Sequence, residues 1–523
     1  MYDYIVVGAG AAGCVVANRL SESPAVRVLV LEAGPMDSSP LVEMPVAYAR
    51  MFKSRHDWDF ATEYEPGLDG RPIYLAQGRL VGGSTSMNGM VYMRGSRTDY
   101  DGWAAAGAVG WSYEEVLPYF RRAEDNVRGA DRFHGTGGPL SVAENNSRHP
   151  LAAAALKAAG EAGVAWNEDL NGASQAGVSW HQVMQRDGRR CSAAAGYLHP
   201  ALERPNLDLL ADTPALNLVT EGARVVGVDA LRDGRVLRYR AEREVVVSCG
   251  TYQSAVLLMV SGIGPAGHLG SFGIEVVADL PVGQGIQDHL MTALVFTSDV
   301  TSLLDAFSPE SLEQYAAGRG PLTSGSGEAG GHLRVLDDSP ECDFQVSFIP
   351  ALFDGWREVT AHGVSLAGWP SKPTSRGSIR LRAPDALTKP RILHNYLTTE
   401  HDRRCTAAGL RRLAEVAAQP ALKAVITGVH AAPAGGSDEE VLAFARSHAS
   451  TTWHPVAGCA IGSVVDPELR VFGVEGLRVA DASVMPSVPR GNTTAPAIMI
   501  GEKVADLIAA DLLAANPIKE APA

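Results

Sequence analysis

The sequence predicts an α/β protein of two domains: a discontinuous Rossmann-like domain with a mainly parallel sheet, and an α+β domain with an antiparallel sheet. The chain opens with a strand, a glycine turn, a helix and a second strand, which together start a parallel sheet. Strand-then-helix patterns return near residue 250 and near the C-terminus. Between them, residues 299–448 change to alternating strands followed by amphipathic helices.

The length and composition support this division. A chain of 523 residues with 46% hydrophobic content exceeds the size at which a single core stops growing. The net charge of −14 disfavours binding to nucleic acid or anionic lipid. No apolar run reaches about 18 residues, so we expect no membrane span. The N-terminus lacks a basic signal region and the six cysteines are scattered, so we expect a cytoplasmic protein with free thiols.

The elements of the first domain follow in chain order. Four strands are predicted, at Tyr4–Val7, 26–34, 243–250 and 476–484. Three helices are predicted, at 11–23, 253–264 and 494–515. The last helix is rich in small and apolar residues, which suits burial against a sheet.

The second domain has a different pattern. It begins with a glycine- and serine-rich stretch at 318–331 that we expect to be flexible. Strand alternation follows at 342–350 and 377–384, and helical patterns follow at 401–419 and 438–448. Consecutive strands without intervening helices favour an antiparallel sheet.

A glycine turn between the first strand and the first helix predicts a dinucleotide site. Glycines in GAGAAG (8–13) let the backbone approach a pyrophosphate, whose charge the helix N-terminus stabilises. Glu32 ends the next strand and can accept hydrogen bonds from ribose hydroxyls, which argues against a 2′-phosphate there. We therefore expect contacts from Gly8, Gly10, Ala12, Gly13 and Glu32, and this motif leaves both NAD and FAD open.

A second glycine cluster distinguishes the two cofactors. The stretch GRLVGGSTSMNGMVY (78–92) resembles the first signature of the glucose-methanol-choline (GMC) family of flavoprotein oxidoreductases. GTYQSAVLLMVSGIG (250–264) looks like the second signature, although Ala255 stands where the family usually has Pro or Ser. PVGQGIQDH (281–289) and DASVMP (481–486) are similar to two further family segments, so the resemblance covers essentially the whole chain.

This resemblance implies FAD as the cofactor. Beyond the glycine turn, it implies cofactor contacts from Arg79, Gly83, Ser84, Asn88, Met90, Ala215, Cys249, Asp481, Ala482 and Thr493. Some family members attach the flavin covalently through a histidine just before the signature Asn, whereas this chain has Met87. A thioether cannot replace that imidazole, so we expect non-covalent FAD.

The resemblance also gives the domains their expected roles. The FAD-binding domain is expected to comprise residues 1–150, 201–298 and 454–515. Residues 151–200 and 299–453 are expected to form the substrate domain, and 516–523 a flexible tail.

Two polar residues are the expected catalytic pair. In GMC enzymes similar to this chain, a histidine of a His-Pro segment and a His or Asn about forty residues later face the reactive flavin ring; His454 and Asn492 match these positions. An imidazole can take the hydroxyl proton of an alcohol while hydride leaves its carbon, and Asn492 can hold the alcohol oxygen. Asp288 and His289 are expected to tie a loop together, and no metal site is expected.

The substrate is expected to be a small alcohol. The aromatic residues Phe348, Phe353, Trp356, Trp369 and Trp453 favour an apolar or aromatic primary alcohol, as in aryl or furan alcohol oxidising members. Choline is the alternative, because Asp354 and Glu358 could supply the carboxylate that a quaternary ammonium needs. The electron acceptor, oxygen or another molecule, and the oligomeric state stay open.

The sequence disfavours two other functions. The light-driven fatty acid decarboxylase branch of the family is expected to use a cysteine where Trp369 aligns, which disfavours that activity here. A non-catalytic flavin-binding protein would not need His454 and Asn492.

Overall fold

The computed structural model of the protein describes residues 1–355 and 360–515. Its strands are β1 (Tyr2–Val7), β2 (Val28–Leu31), β3 (Phe60–Ala61), β4 (Tyr74–Leu75), β5 (Glu124–Asn126), β6 (Leu140–Val142), β7 (Gly177–Trp180), β8 (Gln185–Arg186), β9 (Arg189–Arg190), β10 (Leu207–Leu210), β11 (Ala215–Glu221), β12 (Arg224–Arg232), β13 (Arg235–Val247), β14 (Gln284–Ile286), β15 (Leu290–Ser298), β16 (Ala329–Leu333), β17 (Phe344–Ile349), β18 (Gly363–Pro370), β19 (Gly377–Arg380), β20 (Arg391–Leu393), β21 (Ile426–Ala431), β22 (Ser450–Thr451) and β23 (Leu477–Val479). Its helices are α1 (Ala11–Leu20), α2 (Pro40–Glu43), α3 (Arg97–Ala105), α4 (Tyr113–Ala123), α5 (Pro150–Glu161), α6 (His199–Ala201), α7 (Gly250–Val260), α8 (Ala266–Gly270), α9 (Pro309–Ala316), α10 (Glu400–Ala417), α11 (Pro420–Lys423), α12 (Asp438–His448) and α13 (Thr494–Ala515).

The first sheet is mainly parallel and contains strands from distant parts of the chain. Its order is β10-β2-β1-β13-β12-β11, and β23 also pairs with β13. The pairs formed by β1, β2, β10 and β23 are parallel, whereas β11 and β12 form an antiparallel ribbon on the first half of β13. The predicted discontinuous Rossmann-like sheet is therefore confirmed.

The second sheet is antiparallel. Its order is β16-β17-β18-β15-β21, and β22 pairs with one end of β15. All of these pairs are antiparallel, as the alternating pattern predicts. The predicted fold class, a parallel sheet plus a separate antiparallel sheet, is confirmed.

The stretch 318–331, expected to be flexible, is instead packed. Its last residues enter β16, where Gly330 and Gly331 lie so close to their neighbours that a Cβ on either would approach a backbone oxygen, of Val346 or Gly177, to about 2 Å. Glycine permits close backbone packing here. A glycine-rich composition alone does not distinguish such packing from a flexible loop.

The predicted domain boundaries stay predictions. Within the predicted second FAD-domain segment, 201–298, β15 pairs with strands of the antiparallel sheet. The predicted tail 516–523 lies outside the described residues. Among the residues that are described, no helix has both the length and the apolar character needed to cross a bilayer.

The first and last helices pack against each other beside the parallel sheet. Gly501 of α13 makes this approach possible, because a Cβ there would lie 2.8 Å from the Ala12 oxygen of α1. Valine and leucine side chains bury all of β2 on both faces, as expected for a central parallel strand. This packing fixes α1 with its N-terminus at the edge where β1, β2, β13 and β23 end.

Candidate functional site

A cavity of about 460 Å³ lies where the parallel strands end and the antiparallel sheet begins. Residues that follow β1, β2, β13 and β23 line one end of it, and residues of the second sheet line the other. In open α/β sheets ligands bind at the carboxyl ends of the strands, so this cavity is the expected place for a cofactor and its substrate.

Most of the predicted cofactor residues meet at this cavity. The predicted residues that line it are Gly8, Gly10, Ala12, Glu32, Gly83, Ser84, Asn88, Met90, Ala215, Cys249, Asp481, Ala482 and Thr493. Two predicted residues are not among the lining residues, Gly13 and Arg79. A Cβ on Gly13 would lie 2.0 Å from the Gly8 oxygen, so this glycine lets α1 approach β1. The guanidinium of Arg79 lies over the Trp58 ring, 5.3 Å from its centroid.

The N-terminus of α1 is suited to an anion. Gly10 precedes the helix in extended conformation, and no side chain caps the first turn. Ala11 and Ala12, the first helical residues, line the cavity. Because the first N–H groups of a helix have no intrahelical partners, they and the helix dipole can stabilise an anion, which is what the sequence predicts for the pyrophosphate of a dinucleotide.

Glu32 lies at the same end of the cavity. Its carboxylate accepts hydrogen bonds from the backbone N–H groups of Ala9 (2.9 Å) and Gly34 (2.8 Å). Burial raises the pKa of Glu32 to about 7. These two bonds fix the orientation of the carboxylate at the place where a ribose is expected.

The second glycine cluster touches the first. The N–H of Gly82 donates to the Ala9 oxygen (2.7 Å). Gly83 has a φ of +52°, and a Cβ there would lie 2.8 Å from the Gly10 Cα. The two loops thus form one continuous wall of backbone, which only glycine permits at this point.

Arg190 supports the second loop from behind and was not singled out from the sequence. Its guanidinium donates to the backbone oxygens of Val42, Thr85 and Asn88 and to the Asn88 Oδ1. Burial lowers the pKa of Arg190 to about 9. No motif near Arg190 indicates these contacts, since they join segments 102 to 148 residues apart.

His454 and Asn492 meet at the other end of the cavity. The Asn492 Nδ2 lies 3.1 Å from the His454 Nε2, and both residues line the cavity. The His454 Nδ1 faces the Thr452 hydroxyl (2.8 Å) and the His289 Nδ1 (3.1 Å). His454 is 8% exposed, and its burial, together with the neighbouring His289, holds its pKa well below the ordinary value.

Asp288 holds the backbone around this pair. One carboxylate oxygen accepts from the N–H groups of His289 (2.9 Å) and His454 (2.7 Å). The other accepts from the hydroxyls of Tyr396 (2.6 Å) and Thr451. Burial raises the pKa of Asp288 to about 6. Asp288 thus ties the loop as predicted, whereas the ring of His289 also contacts His454 directly.

The space beside His454 is apolar. Its wall includes Tyr48, Phe52, Met291, Ile349, Leu352, Phe353 and Trp453. Phe353 and Trp453 line the cavity as predicted, whereas Phe348 and Trp369 are not among the lining residues and are buried. The predicted Trp356 lies outside the described residues.

Charged groups are scarce in the cavity. Among the described lining residues only Glu32 and Asp481 have carboxyl groups, and no lysine or arginine lines the cavity. Asp354, the carboxylate considered for choline, does not line the cavity and faces His430 (3.2 Å); Glu358 lies outside the described residues. Across the described ranges, no three His, Cys, Asp or Glu side chains are grouped to hold a metal ion.

The chain is similar to known proteins over most of its length. Residues 2–291 and residues 373–501 match two family models, both described as GMC oxidoreductase. The human mitochondrial choline dehydrogenase is 42% identical, with 97% of this chain and 89% of that protein covered. The oxygen-dependent choline dehydrogenase of Sinorhizobium fredii is 40% identical, with 97% and 95% covered.

Solved structures have the same fold. Pyridoxine 4-oxidase from Mesorbium loti superposes with a TM-score of 0.89 at 30% identity, covering 97% of this chain and 99% of that one. An FAD-dependent oxidoreductase from Chaetomium thermophilum superposes with a TM-score of 0.88 at 25% identity, covering 98% and 100%.

Proposed function

The chain belongs to the GMC oxidoreductase family and is an FAD-dependent oxidoreductase that acts on alcohols; from this premise we propose that it oxidises an apolar or aromatic primary alcohol to the aldehyde, with His454 as general base. The observation that carries the proposal is the pairing of the His454 Nε2 with the Asn492 amide, 3.1 Å apart, on the wall of an otherwise apolar space.

The residues present fit the cofactor. We propose that the uncapped N-terminus of α1 and Glu32 hold the ADP part of FAD non-covalently, and that Asn88, Met90 and Thr493 lie along its flavin part. Met87 lines the cavity. It stands at the position where some other family members attach the flavin through a histidine. Yellow colour that stays in the pellet after acid precipitation would contradict non-covalent binding.

The chemistry divides between cofactor and chain. Bound FAD supplies a hydride acceptor. In the proposed reaction the alcohol hydroxyl enters between Asn492 and His454, so that its proton points at the His454 Nε2 and its oxygen accepts from the Asn492 Nδ2. His454 removes the hydroxyl proton as hydride leaves the carbon that carries this hydroxyl. The apolar wall excludes water from this step and positions the carbon.

The substrate class follows from the wall. Tyr48, Phe52, Phe353 and Trp453 offer rings to a flat or apolar group, and no described carboxylate lines the space beside His454. A cation would be desolvated there without a counter-charge, which costs several kcal/mol. Choline is the second candidate, because the two choline dehydrogenases above are 40–42% identical to this chain.

An anaerobic substrate panel tests the proposal. The purified yellow protein is mixed with benzylic, furanic, aliphatic and choline-type alcohols, and flavin bleaching is followed by absorbance. We expect benzylic or furanic alcohols to bleach it fastest; bleaching by choline alone would favour the second candidate, and bleaching by none would refute alcohol oxidation. Admitting air then separates oxygen from another acceptor by the speed of recolouring.

His454→Ala tests the base. We expect the rate of flavin reduction to fall about 10²–10⁴-fold, which corresponds to about 2.7–5.5 kcal/mol of barrier, while FAD stays bound. His401→Ala, on α10 and away from the cavity lining, is the matched control and should reduce at the wild-type rate. Full turnover by His454→Ala would refute its assignment as the base.

We also propose a cytoplasmic location for the protein.

A further inference from the structure

A continuous chain of hydrogen bonds runs behind the catalytic pair. It connects the Trp369 Nε1 to the Gln345 Oε1 (3.2 Å), the Gln345 Nε2 to the Asn492 Oδ1 (3.3 Å), the Asn492 Nδ2 to the His454 Nε2 (3.1 Å), the His454 Nδ1 to the His289 Nδ1 (3.1 Å) and the His289 Nε2 to the Ser371 oxygen (3.0 Å). Amides and neutral imidazoles each have one donor side and one acceptor side, so the direction of each bond depends on its neighbours.

The Trp369 end of this chain of hydrogen bonds fixes the direction of the bonds between Trp369 and His454. An indole N–H only donates, so the Gln345 carbonyl oxygen must face Trp369. The Gln345 amino group then donates to the Asn492 oxygen, and the Asn492 amino group must donate to His454. The Nε2 of His454 is thereby left without a proton, which puts the proton of the neutral ring on Nδ1.

The serine end gives the same answer independently. A backbone oxygen only accepts, so the His289 Nε2 must carry a proton to face the Ser371 oxygen. Burial lowers the pKa of His289 to about 4, so its ring is neutral at pH 7 and its Nδ1 is an acceptor. The His454 Nδ1 must then be the donor between the two rings.

The opposite arrangement creates two conflicts. A proton on the His454 Nε2 would turn both amides over and place the Gln345 amino group against the indole N–H, so that two donors face each other. It would also place two acceptors against each other: at Ser371 if the His289 Nδ1 donates, or between the two Nδ1 atoms if the Thr452 hydroxyl donates to His454 instead. Gln345 is 1% exposed, Trp369 4% and His289 0%, so bulk water does not relieve either conflict.

We propose that Gln345 and Trp369 are positioning residues that, through Asn492, keep the Nε2 of His454 unprotonated and directed at the substrate. This inference rests on the proposed role of His454 as base. It assigns a function to a tryptophan outside the cavity and to a glutamine that no sequence motif marks. A wrong tautomer of a catalytic histidine is costly, about 10⁴-fold in serine proteases.

Gln345→Glu reverses the direction of the hydrogen bonds without changing the size of the side chain at position 345. An ionised carboxylate accepts from Trp369 but cannot donate to Asn492, so the Asn492 amide turns over and presents its oxygen to the His454 Nε2. The His454 Nε2 must then carry a proton: the ring either gives up its Nδ1 proton, against the preference of the Ser371 end, or keeps both protons as an imidazolium that the new carboxylate at position 345 stabilises. Gln345→Leu is the matched control, because it deletes the bond without reversing it and leaves the Ser371 end to hold the proton on Nδ1.

Two measurements read the result on the holoenzyme. Nitrogen NMR of ¹⁵N-histidine-labelled protein, with His454→Ala to identify the signal, should show the proton on Nδ1 in the wild type and in Gln345→Leu, and on Nε2 in Gln345→Glu. Anaerobic flavin reduction should slow about 10²-fold in Gln345→Glu, and less in Gln345→Leu. A residue that only filled space would give the reverse order, since leucine loses more hydrogen bonds than glutamate.

Specific results would overturn the inference. These are a wild-type proton on the His454 Nε2, or a proton on Nδ1 alone in all three proteins with Gln345→Leu the slowest. If Gln345→Glu does not hold FAD, Trp369→Phe is tested in a His289→Phe background, where the Ser371 end no longer holds the proton on Nδ1. His289→Phe alone should keep the proton on Nδ1, and adding Trp369→Phe should give a mixed Nδ1 and Nε2 signal; an unchanged signal refutes the role. If no alcohol reduces the flavin, the proposed function fails, whereas the NMR signal still decides the positioning role.

Discussion

At the scale of single residues, His454 combines a neutral ring with a fixed direction. Its burial keeps the imidazole unprotonated, and its neighbours orient the Nε2 toward the apolar space. Burial is useful for the proposed reaction because a base that is already protonated cannot accept a second proton. Burial also makes His454 a weaker base. This effect is offset because burial removes competing water from around the ring.

The lowered pKa of His454 predicts a shifted pH profile. The base is active when unprotonated, so activity is lost as pH falls through its pKa; a pKa well below the ordinary value of about 6.5 moves this loss to more acidic pH. We therefore expect the rate of flavin reduction at saturating alcohol to stay level from pH 8 to pH 6.5. A loss of half the rate near pH 6.5 would contradict this expectation.

Asn492→Ala separates orientation from proton transfer. The variant removes the amide that would donate to the alcohol oxygen, so we expect weaker substrate binding and flavin reduction about tenfold slower, equal to about 1.4 kcal/mol for one hydrogen bond. It should keep the wild-type order of alcohols, because the apolar wall that selects among them is unchanged. Unchanged single-turnover bleaching would count against a role for Asn492.

The sequence predicts residues of the site where their signal is local. Gly8, Gly10 and Glu32 belong to one strand-turn-helix-strand unit, so spacing alone brings them together. The contact between His289 and His454 joins segments 165 residues apart and has no local pattern. Phe348 and Trp369 lie on strands buried on both faces, where the alternation that tells one face from the other is absent.

At the scale of elements, the two glycine loops depend on each other. The loop that contains Gly83 crosses the turn that contains Gly10, and the hydrogen bond from Gly82 to Ala9 joins them. Only part of the secondary structure follows from apolar periodicity: six strands, β1, β2, β13, β17, β19 and β23, and five helices, α1, α7, α10, α12 and α13. This crossing does not, because it is set by which backbones can touch.

Gly83→Ala tests the crossing. The new Cβ would lie 2.8 Å from the Gly10 Cα at a φ of +52°, so one loop must move. We expect a large loss of bound FAD, measured as the ratio of flavin to protein absorbance. Gly102→Ala is the matched control: this glycine lies inside α3 with no atom within 4 Å of a Cβ, so the substitution should keep FAD and stabilise the protein by up to about 1 kcal/mol. Normal FAD content in Gly83→Ala would contradict the predicted contact.

At the scale of the whole molecule, buried histidines couple folding to acid. Burial lowers the pKa of several of them to about 3 or 4: His149, His181, His289, His332 and His394. Each takes up a proton on unfolding near its ordinary pKa of about 6.5, so each destabilises the fold as pH falls below that value. Glu32 and Glu65, whose pKa values burial raises to about 7, act in the opposite sense, because the folded state holds their protons more tightly.

His332→Leu isolates one of these contributions. Neither ring nitrogen of His332 has a hydrogen-bond partner among the described residues, so the substitution breaks no side-chain bond. Between pH 6 and pH 4 we expect the free energy of unfolding of the wild type to fall relative to the variant by about 1.4 kcal/mol per pH unit, measured by urea unfolding. The exposed His430→Gln is the control and should track the wild type. Parallel curves for wild type and His332→Leu would refute the linkage.

The packing of α1 against α13 also bears on how the protein is made. The helix that presents its N-terminus to the cavity is synthesised before the helix that covers it, which begins 483 residues further along the chain. At about 5–20 residues per second, the interval is on the order of tens of seconds. During that time the side of α1 that α13 covers lacks its final partner, so we expect this apolar side to be exposed on the nascent chain until α13 is made.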